Sequence, residues 1–292
     1  MIPIRSTAVG ADLGRRIVAI DARQIMAFAA GIGAEASLHL DDARRGGVVA
    51  PPSFVVTLEW PVLMSTAYLA AIGRDETTAF DGLVHGVQDS LFHRAIRPGD
   101  RLAVSGRIVA AAPTRAGALL TTHIVTVDAA TGAPVAESWF GALYRGTPLD
   151  GSGGCSAPPP ALRSERGVPA AATAQREAID IPRRQPHIYT ECARIWNPIH
   201  TERTAALASG LPDIILHGTC TWAMALQRLV QRHRPDEPYP LRRAATRFTR
   251  MVVPGATVTL ESTPPDADRA IAFAVRNAEA EVALGYALAV MT

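Results

Sequence analysis

The part of the chain densest in groups that could hold a polar substrate or move a proton runs from residue 189 to residue 225, YTECARIWNPIHTERTAALASGLPDIILHGTCTWAMA. It gathers Asn197, His200, Glu202, His217, Thr219 and Thr221 around Pro198 and Gly218. In Trp196-Asn197-Pro198-Ile199-His200 a rigid proline stands beside a histidine and fixes the loop that presents the imidazole. Leu216-His217-Gly218-Thr219 then leads into a helix. The first N–H groups of a helix have no partner within it and can receive a negative charge that develops on a substrate oxygen. Gly218 suits close approach of backbone to a ligand or a tight turn, and both follow from its missing side chain. Asn197 could orient a water or a carbonyl, or form the turn before Pro198. Thr221 could support the site or cap the helix. His217 reads equally as packing or capping that helix.

These residues need elements to hold them. Trp222, Leu226, Leu229 and Val230 recur at helical spacing, which predicts a helix that starts near Thr219 or Thr221, either of which could cap it, and stops before Pro235. Alternation then predicts strands through Ile271, Phe273 and Val275, and through Val282, Leu284, Tyr286, Leu288 and Val290. The first half of the chain runs in the same order. Helices are expected over residues 22–30 and 54–71, and strands over 120–127 and 135–144 with a turn at Ala129-Ala130-Thr131-Gly132. His85, Asp89 and His93 fall in a further expected strand region and read as structural. A shared pattern, Phe-x-Arg-x-x-x-Pro-Gly, begins at Phe92 and again at Phe248, with an alternating strand after each copy. That points to an internal duplication. Between the halves, residues 147–175 are rich in Gly, Ser, Pro and Ala and read as a flexible linker. The expectation is an α+β chain of two modules, 1–146 and 176–292, each a long helix wrapped by a curved antiparallel sheet.

Composition limits the partners. The chain is 48% hydrophobic and 19% charged, and its net charge of +2 is scattered in short basic pairs such as Arg15-Arg16 and Arg242-Arg243. No nucleic-acid or membrane footprint stands out, and no apolar run reaches the length of a span. All 29 basic residues are arginine, whose forked head suits phosphate. Cys155, Cys192 and Cys220 have neither metal spacing nor an even count for a disulfide framework, so no metal is expected and a reducing cytoplasm fits.

Asn197-Pro198-Ile199-His200, followed by Leu216-His217-Gly218 and a helix, resembles the signature of the MaoC-like, or hydratase-2, acyl-CoA hydratase/dehydratase family. The likeness covers most of residues 180–292. The first half, with Phe92-His93-Arg94 and Pro98-Gly99, resembles the degenerate first hot dog of the family's double-domain members, in which that half makes room for the acyl chain. The resemblance implies two tandem hot-dog domains and hydration of a trans-2-enoyl-CoA to the (R)-3-hydroxyacyl-CoA, or its reverse. Coenzyme A would enter as part of the substrate and no other cofactor is needed. It also implies a homodimer, or pairing with a related subunit, and a thioester on coenzyme A or an acyl carrier as the ligand. The family's catalytic pair is an Asp and the His. Here His200 matches the His, but Ile195 stands at the Asp and Arg194 at the Gly before it. An isoleucine transfers no proton. On a helix Glu191 would share a face with Ile195 and is the expected stand-in; Glu202 fits a structural acidic position after the His. The expected site is therefore His200, Glu191 and Asn197 for catalysis, with Gly218, Thr219, His217 and Thr221 binding the thioester. Ile195 supports one rival, a non-catalytic acyl-CoA-binding or partner subunit of the same fold; a thioesterase on that fold is a third and weaker option, because no well-placed nucleophile or aspartate stands out.

Overall fold

The computed structural model describes residues 2–158, 160 and 174–292. Strand β1 (Asp12–Ala19) leads into α1 (Ala22–Gly31), whose start is fixed by reciprocal capping between Asp21 and Gln24. There follow α2 (Ser37–Leu40), α3 (Val55–Leu63), α4 (Thr66–Ile72), and strands β2 (Leu83–Phe92), β3 (Arg101–Thr114), β4 (Gly117–Asp128), β5 (Pro134–Arg145) and β6 (Gly154–Cys155). The second half repeats the plan with β7 (Gln175–Asp180), α5 (Gln185–Ala193), α6 (Arg203–Ala208), α7 (Gly218–His233), β8 (Leu241–Phe248), β9 (Thr257–Ser262), β10 (Ala270–Arg276) and β11 (Val282–Met291).

All strands but the short β6, which pairs with β3, lie along one antiparallel path in the order β1-β3-β4-β5-β2-β8-β11-β10-β9-β7. Read outward from the β2–β8 seam, the two sides are the same: each half contributes its strands in equivalent sequence. The duplicated segments sit where the repeat requires. Each Pro-Gly turn puts its glycine at positive φ, Gly99 at 90° and Gly255 at 93°, a conformation that costs glycine little. Gly99 N–H bonds Ile20 O at 2.8 Å, and Gly255 N–H bonds Ile181 O at 2.7 Å. At the seam Asp89 faces Ala245, and the buried Asp89 carboxylate receives the Arg243 fork, Nε at 2.9 Å and Nη2 at 2.6 Å. A charge from each half is thus neutralised at the join.

The helices fill the concave side. Trp222, Tyr189, Tyr68, Phe28, Phe54 and Phe273 are among the largest fully buried side chains, and α7 is buried along most of its length. That is the expected α+β arrangement, with three local differences. The helix expected over 54–71 is two, bent by 66°, because α3 ends at Leu63 and Ser65 Oγ accepts from Tyr68 N–H to cap a new start. Neither Thr219 nor Thr221 caps α7. His217 is its N-cap residue, and Thr221 Oγ1 instead donates back to His217 O at 3.4 Å. The stretch expected as a flexible linker is tied down where it is described. Ile4 N–H bonds Pro148 O at 2.9 Å and Ser156 N–H bonds Val109 O at 2.8 Å, Gly154 and Cys155 pair with β3, and Gln175 opens β7. Residues 161–173 of that stretch lie outside the described residues. No single described helix is long and apolar enough to cross a membrane.

Candidate active site

Local backbone chemistry sets the loop that carries Asn197 and His200. Helix α5 stops at Ala193 because Arg194 turns left-handed at φ 55°, and Ile195 N–H closes the turn on Thr190 O at 3.2 Å. Ile195 is therefore off the helix, and the helical-face argument for Glu191 fails: Glu191 is exposed and does not line the cavity described next. Asn197 Oδ1 accepts from Ile199 N–H at 3.3 Å, starting a 3₁₀ turn over Pro198–His200 that aims the imidazole inward. Glu202 is exposed at the start of α6.

A cavity of about 420 Å³ lies between the halves. The second half lines it with Ile195, Asn197, His200, His217, Gly218, Thr219 and Thr221, and the first half with Val56, Glu59, Trp60, Leu63, His85 and Phe140. Six of the seven expected site residues are thus brought to one wall, and Glu191 is not. A space this size, largely apolar with a few converging polar groups, is of the kind that takes a small organic ligand.

The hydrogen bonds assign the protons. His200 Nδ1 lies 2.8 Å from Ile215 O; a carbonyl only accepts, so Nδ1 carries the hydrogen and Nε2 keeps a free lone pair. Burial lowers the His200 pKa to about 4, so the ring is neutral and basic at Nε2 near neutral pH. His217 stacks on it, ring centres 3.7 Å apart. Its Nε2 meets Ile195 O at 3.3 Å and Thr190 Oγ1 at 3.2 Å. Burial first, then the neighbouring His200, hold His217 well below its ordinary pKa. His217 thus braces the loop at Ile195 and the back of the His200 ring. The departure at Ile195 has changed that position's part: its buried side chain lines the cavity and its carbonyl holds His217.

The start of α7 supplies the second element. Gly218 and Thr219 are its first residues, so their N–H groups have no partner one turn back inside the helix. A Cβ on Gly218 would come within 2.6 Å of the Phe248 ring, so glycine is needed for close approach. Phe248 in turn packs on His85, centres 4.3 Å apart, and His85 stacks on Phe140 at 4.0 Å. This aromatic stack links the two halves beside the helix start.

The sequence reading missed Glu59. It is 3% exposed, and it is the only Asp or Glu among the described residues that line the cavity. Gln88 Nε2 donates to its Oε2 at 3.1 Å and to Ser90 Oγ at 2.8 Å, and Ser90 meets Ser138 Oγ at 2.8 Å. Burial raises the Glu59 pKa to about 7, against the hydrogen bonds from Ser138 and Gln88. The one signal for it in the sequence is an isolated acid in the apolar run Phe54-Val55-Val56-Thr57-Leu58-Glu59-Trp60. No described group of His, Cys, Asp and Glu could hold a metal ion.

Comparison with known proteins places these features. A model of the MaoC-like domain matches residues 168–282, and a model of the FAS1-like dehydratase domain region matches residues 7–138. A protein of Dictyostelium discoideum named probable enoyl-CoA hydratase 2 is 26% identical over 185 residues, 61% of this chain and 60% of its own length. Among solved structures, a MaoC-like dehydratase from Phytophthora capsici superposes with a TM-score of 0.81 at 19% identity, covering 97% of this chain and 96% of that one. A Mycobacterium tuberculosis protein described as having a double hotdog fold gives 0.61 at 15% identity, covering 97% and 96%. These last two likenesses are of fold. One model on each half, the mirrored sheet and the Asn-Pro-Ile-His and His-Gly segments on one cavity wall agree: residues 168–282 carry a MaoC-like domain and residues 7–138 a FAS1-like dehydratase region, in a fold like that of double hot-dog proteins.

Proposed function

We propose that this chain is an (R)-specific enoyl-CoA hydratase, or in reverse a 3-hydroxyacyl-thioester dehydratase, that adds or removes water across the 2,3 bond of an acyl thioester. The observation that carries this is the pairing, in one apolar cavity, of a free basic Nε2 on His200 with the open helix start at Gly218 and Thr219. In hydration His200 takes a proton from water as its oxygen attacks C3. The electrons of the double bond move toward the thioester carbonyl, whose oxygen gains charge beside the N–H groups of Gly218 and Thr219. Acid–base help of this kind is worth roughly 10²–10⁴-fold, and a helix-start donor about 10²–10³-fold. Asn197 orients the water, His217 holds the His200 ring, and Thr221 steadies the first turn of α7.

The division of labour follows the two halves: residues 176–292 carry the base and the helix start, and residues 1–146 close the acyl space. The substrate is a thioester of coenzyme A or of an acyl carrier, the enzyme acts in the cytoplasm, and two chains pair, as a homodimer or with a related subunit. The last point is tested by light scattering. The D. discoideum relative, over the 60% of its length that aligns, supports the hydratase reading by its name.

The test is hydration of crotonyl-CoA and of a longer trans-2-enoyl-CoA, followed by loss of the enoyl-thioester absorbance, with chiral analysis of the product. His200→Ala should lower kcat roughly 10²–10⁴-fold and leave KM within a few fold. Intact enoyl-CoA after long incubation with wild type, despite binding, would point instead to a binding subunit; release of free coenzyme A would point to a thioesterase.

A further inference from the structure

Addition of water needs two proton movements: one leaves the water, and one arrives at C2. His200 serves the first. The second requires an acid, and the family position for a carboxylate is Ile195. The wall contributed by the second half holds no Asp or Glu at all among the described residues.

Resting on the hydratase reading, we propose that Glu59, from the other half of the chain, is the general acid that protonates C2 of the substrate. Three observations carry this. Glu59 is the only carboxylic acid among the described residues lining the cavity that also holds His200 and the α7 start. Val56, Glu59, Trp60 and Leu63 all line that cavity, and their spacing is that of one face of α3, so Glu59 sits within the stripe turned to the ligand. Finally, the groups around the carboxyl are neutral. They are Gln88 and Ser90 from β2 and Ser138 from β5, with His85, itself kept neutral by burial, lining the same cavity. Arg145 and Arg250 also line that cavity, but no cation is among the described groups that shift Glu59, and burial pushes its pKa to about 7, so the protonated acid is present at neutral pH.

The step balances. Water oxygen bonds C3 as its proton passes to His200 Nε2, and the C2–C3 π pair moves to form the enolate. The enolate then takes the Glu59 proton at C2, and the C2–H bond forms. Protonated His200 and ionised Glu59 are left, and transfer of one proton from His200 to Glu59 through solvent restores the starting enzyme. Dehydration runs the same steps backward.

The experiment is the pH profile of crotonyl-CoA hydration by wild type, Glu59→Gln, Glu59→Asp and His200→Ala. Wild-type kcat should fall below about 4, where His200 gains a proton, and above about 7, where Glu59 loses one. Glu59→Gln should lower kcat roughly 10²–10⁴-fold with KM within a few fold, and abolish the limb near 7. Glu59→Asp should recover part of the rate and keep a basic limb. An infrared titration gives an independent readout: a protonated-carboxyl band that disappears near neutral pH in wild type and is absent from Glu59→Gln. Turnover by Glu59→Gln within a few fold of wild type, with the basic limb unmoved, overturns this assignment and leaves the hydratase reading intact. Absence of turnover by wild type overturns both. A carboxyl that titrates in the ordinary range, or a Glu59→Asp profile without a basic limb, also overturns it.

Discussion

Two equivalent points of the pseudo-repeat, a 3₁₀ turn over Pro52–Phe54 ahead of α3 and the start of α7, are tied by the same kind of backbone bond and carry opposite chemistry. Ala50 N–H bonds Ile96 O at 3.0 Å in the first half, and Leu216 N–H bonds Val252 O at 2.8 Å in the second. The residues that follow are Pro51-Pro52 on one side and His217-Gly218 on the other. A proline has no N–H to offer, so at the place of Gly218 the first half lacks the donor that the proposed mechanism uses in the second half. Seven residues further on, about two turns, the contrast reverses: α3 carries Glu59, and the matching position of α7 is Ala225. Duplication thus preserved the frame and let polar duties separate. On the proposed mechanism one module keeps the base and the charge-binding helix start, and the other keeps acyl space and an acid.

The largest expected effect tests whether the halves depend on each other at all. Asp89 is 2% exposed and holds Arg243 across the seam. Asp89→Ala leaves Arg243 with its main counter-charge removed and should cost about 3–5 kcal/mol of stability, read in urea and thermal melts. A loss below about 1 kcal/mol would mean that the seam is held by strand pairing and packing alone.

Next in size is the comparison of those two equivalent points. Gly218→Ala drives a methyl against Phe248 and displaces the N–H groups, so kcat should fall about 10²–10³-fold. Pro52→Ala, at the equivalent place, should leave kcat unchanged within a few fold. Equal effects of the two substitutions would break the assignment of charge binding to one half.

Much of this arrangement can be read from the chain, for reasons that are local. Alternation in Ile271, Phe273 and Val275 marks a strand with one face in the core, and it forms β10. The Pro-Gly repeats mark turns that need positive φ, and they occupy matching places. His200, Asn197, His217, Gly218, Thr219 and Thr221 lie close together in sequence, so a short motif could announce that they share a wall. What cannot be read is what depends on distant packing. Glu59 is far from that motif and reaches the cavity only because the sheet brings the two halves together. Glu191 looked suitable because nothing in the sequence signals that Arg194 adopts φ 55° and ends the helix before Ile195.

Stability against pH sharpens the comparison, because the two cavity groups act in opposite directions. The folded-state pKa of Glu59 is raised from 4.5 to about 7. Its contribution is therefore present below about 4.5 and is lost as pH rises through about 7, a change of about 3 kcal/mol. Glu59→Gln should accordingly gain stability on wild type between these values. For His200 the folded-state pKa is lowered from 6.5 to about 4, so stability falls as pH drops from 6.5 toward 4. His200→Ala should lessen that fall, while His85, lowered to about 3, leaves part of it. Melting temperatures of the three proteins across pH 4–8 decide this. A Glu59→Gln protein that loses stability at every pH would mean that Glu59 serves the fold.

The smallest expected effect concerns returning the acid to the position the family gives it. Ile195 already lines the cavity beside Asn197 and His200, so a carboxyl there would stand on the same wall as the base. In the Glu59→Gln background, Ile195→Asp should restore crotonyl-CoA hydration by about tenfold. Alone, it should slow the enzyme slightly, because burial in an apolar corner disfavours the charge and disturbs the carbonyl that holds His217. Rescue in the double variant would mean that the two modules can exchange the acid and that its origin in either half is immaterial to the chemistry. A double variant slower than Glu59→Gln alone would mean that the present geometry accepts an acid only from α3.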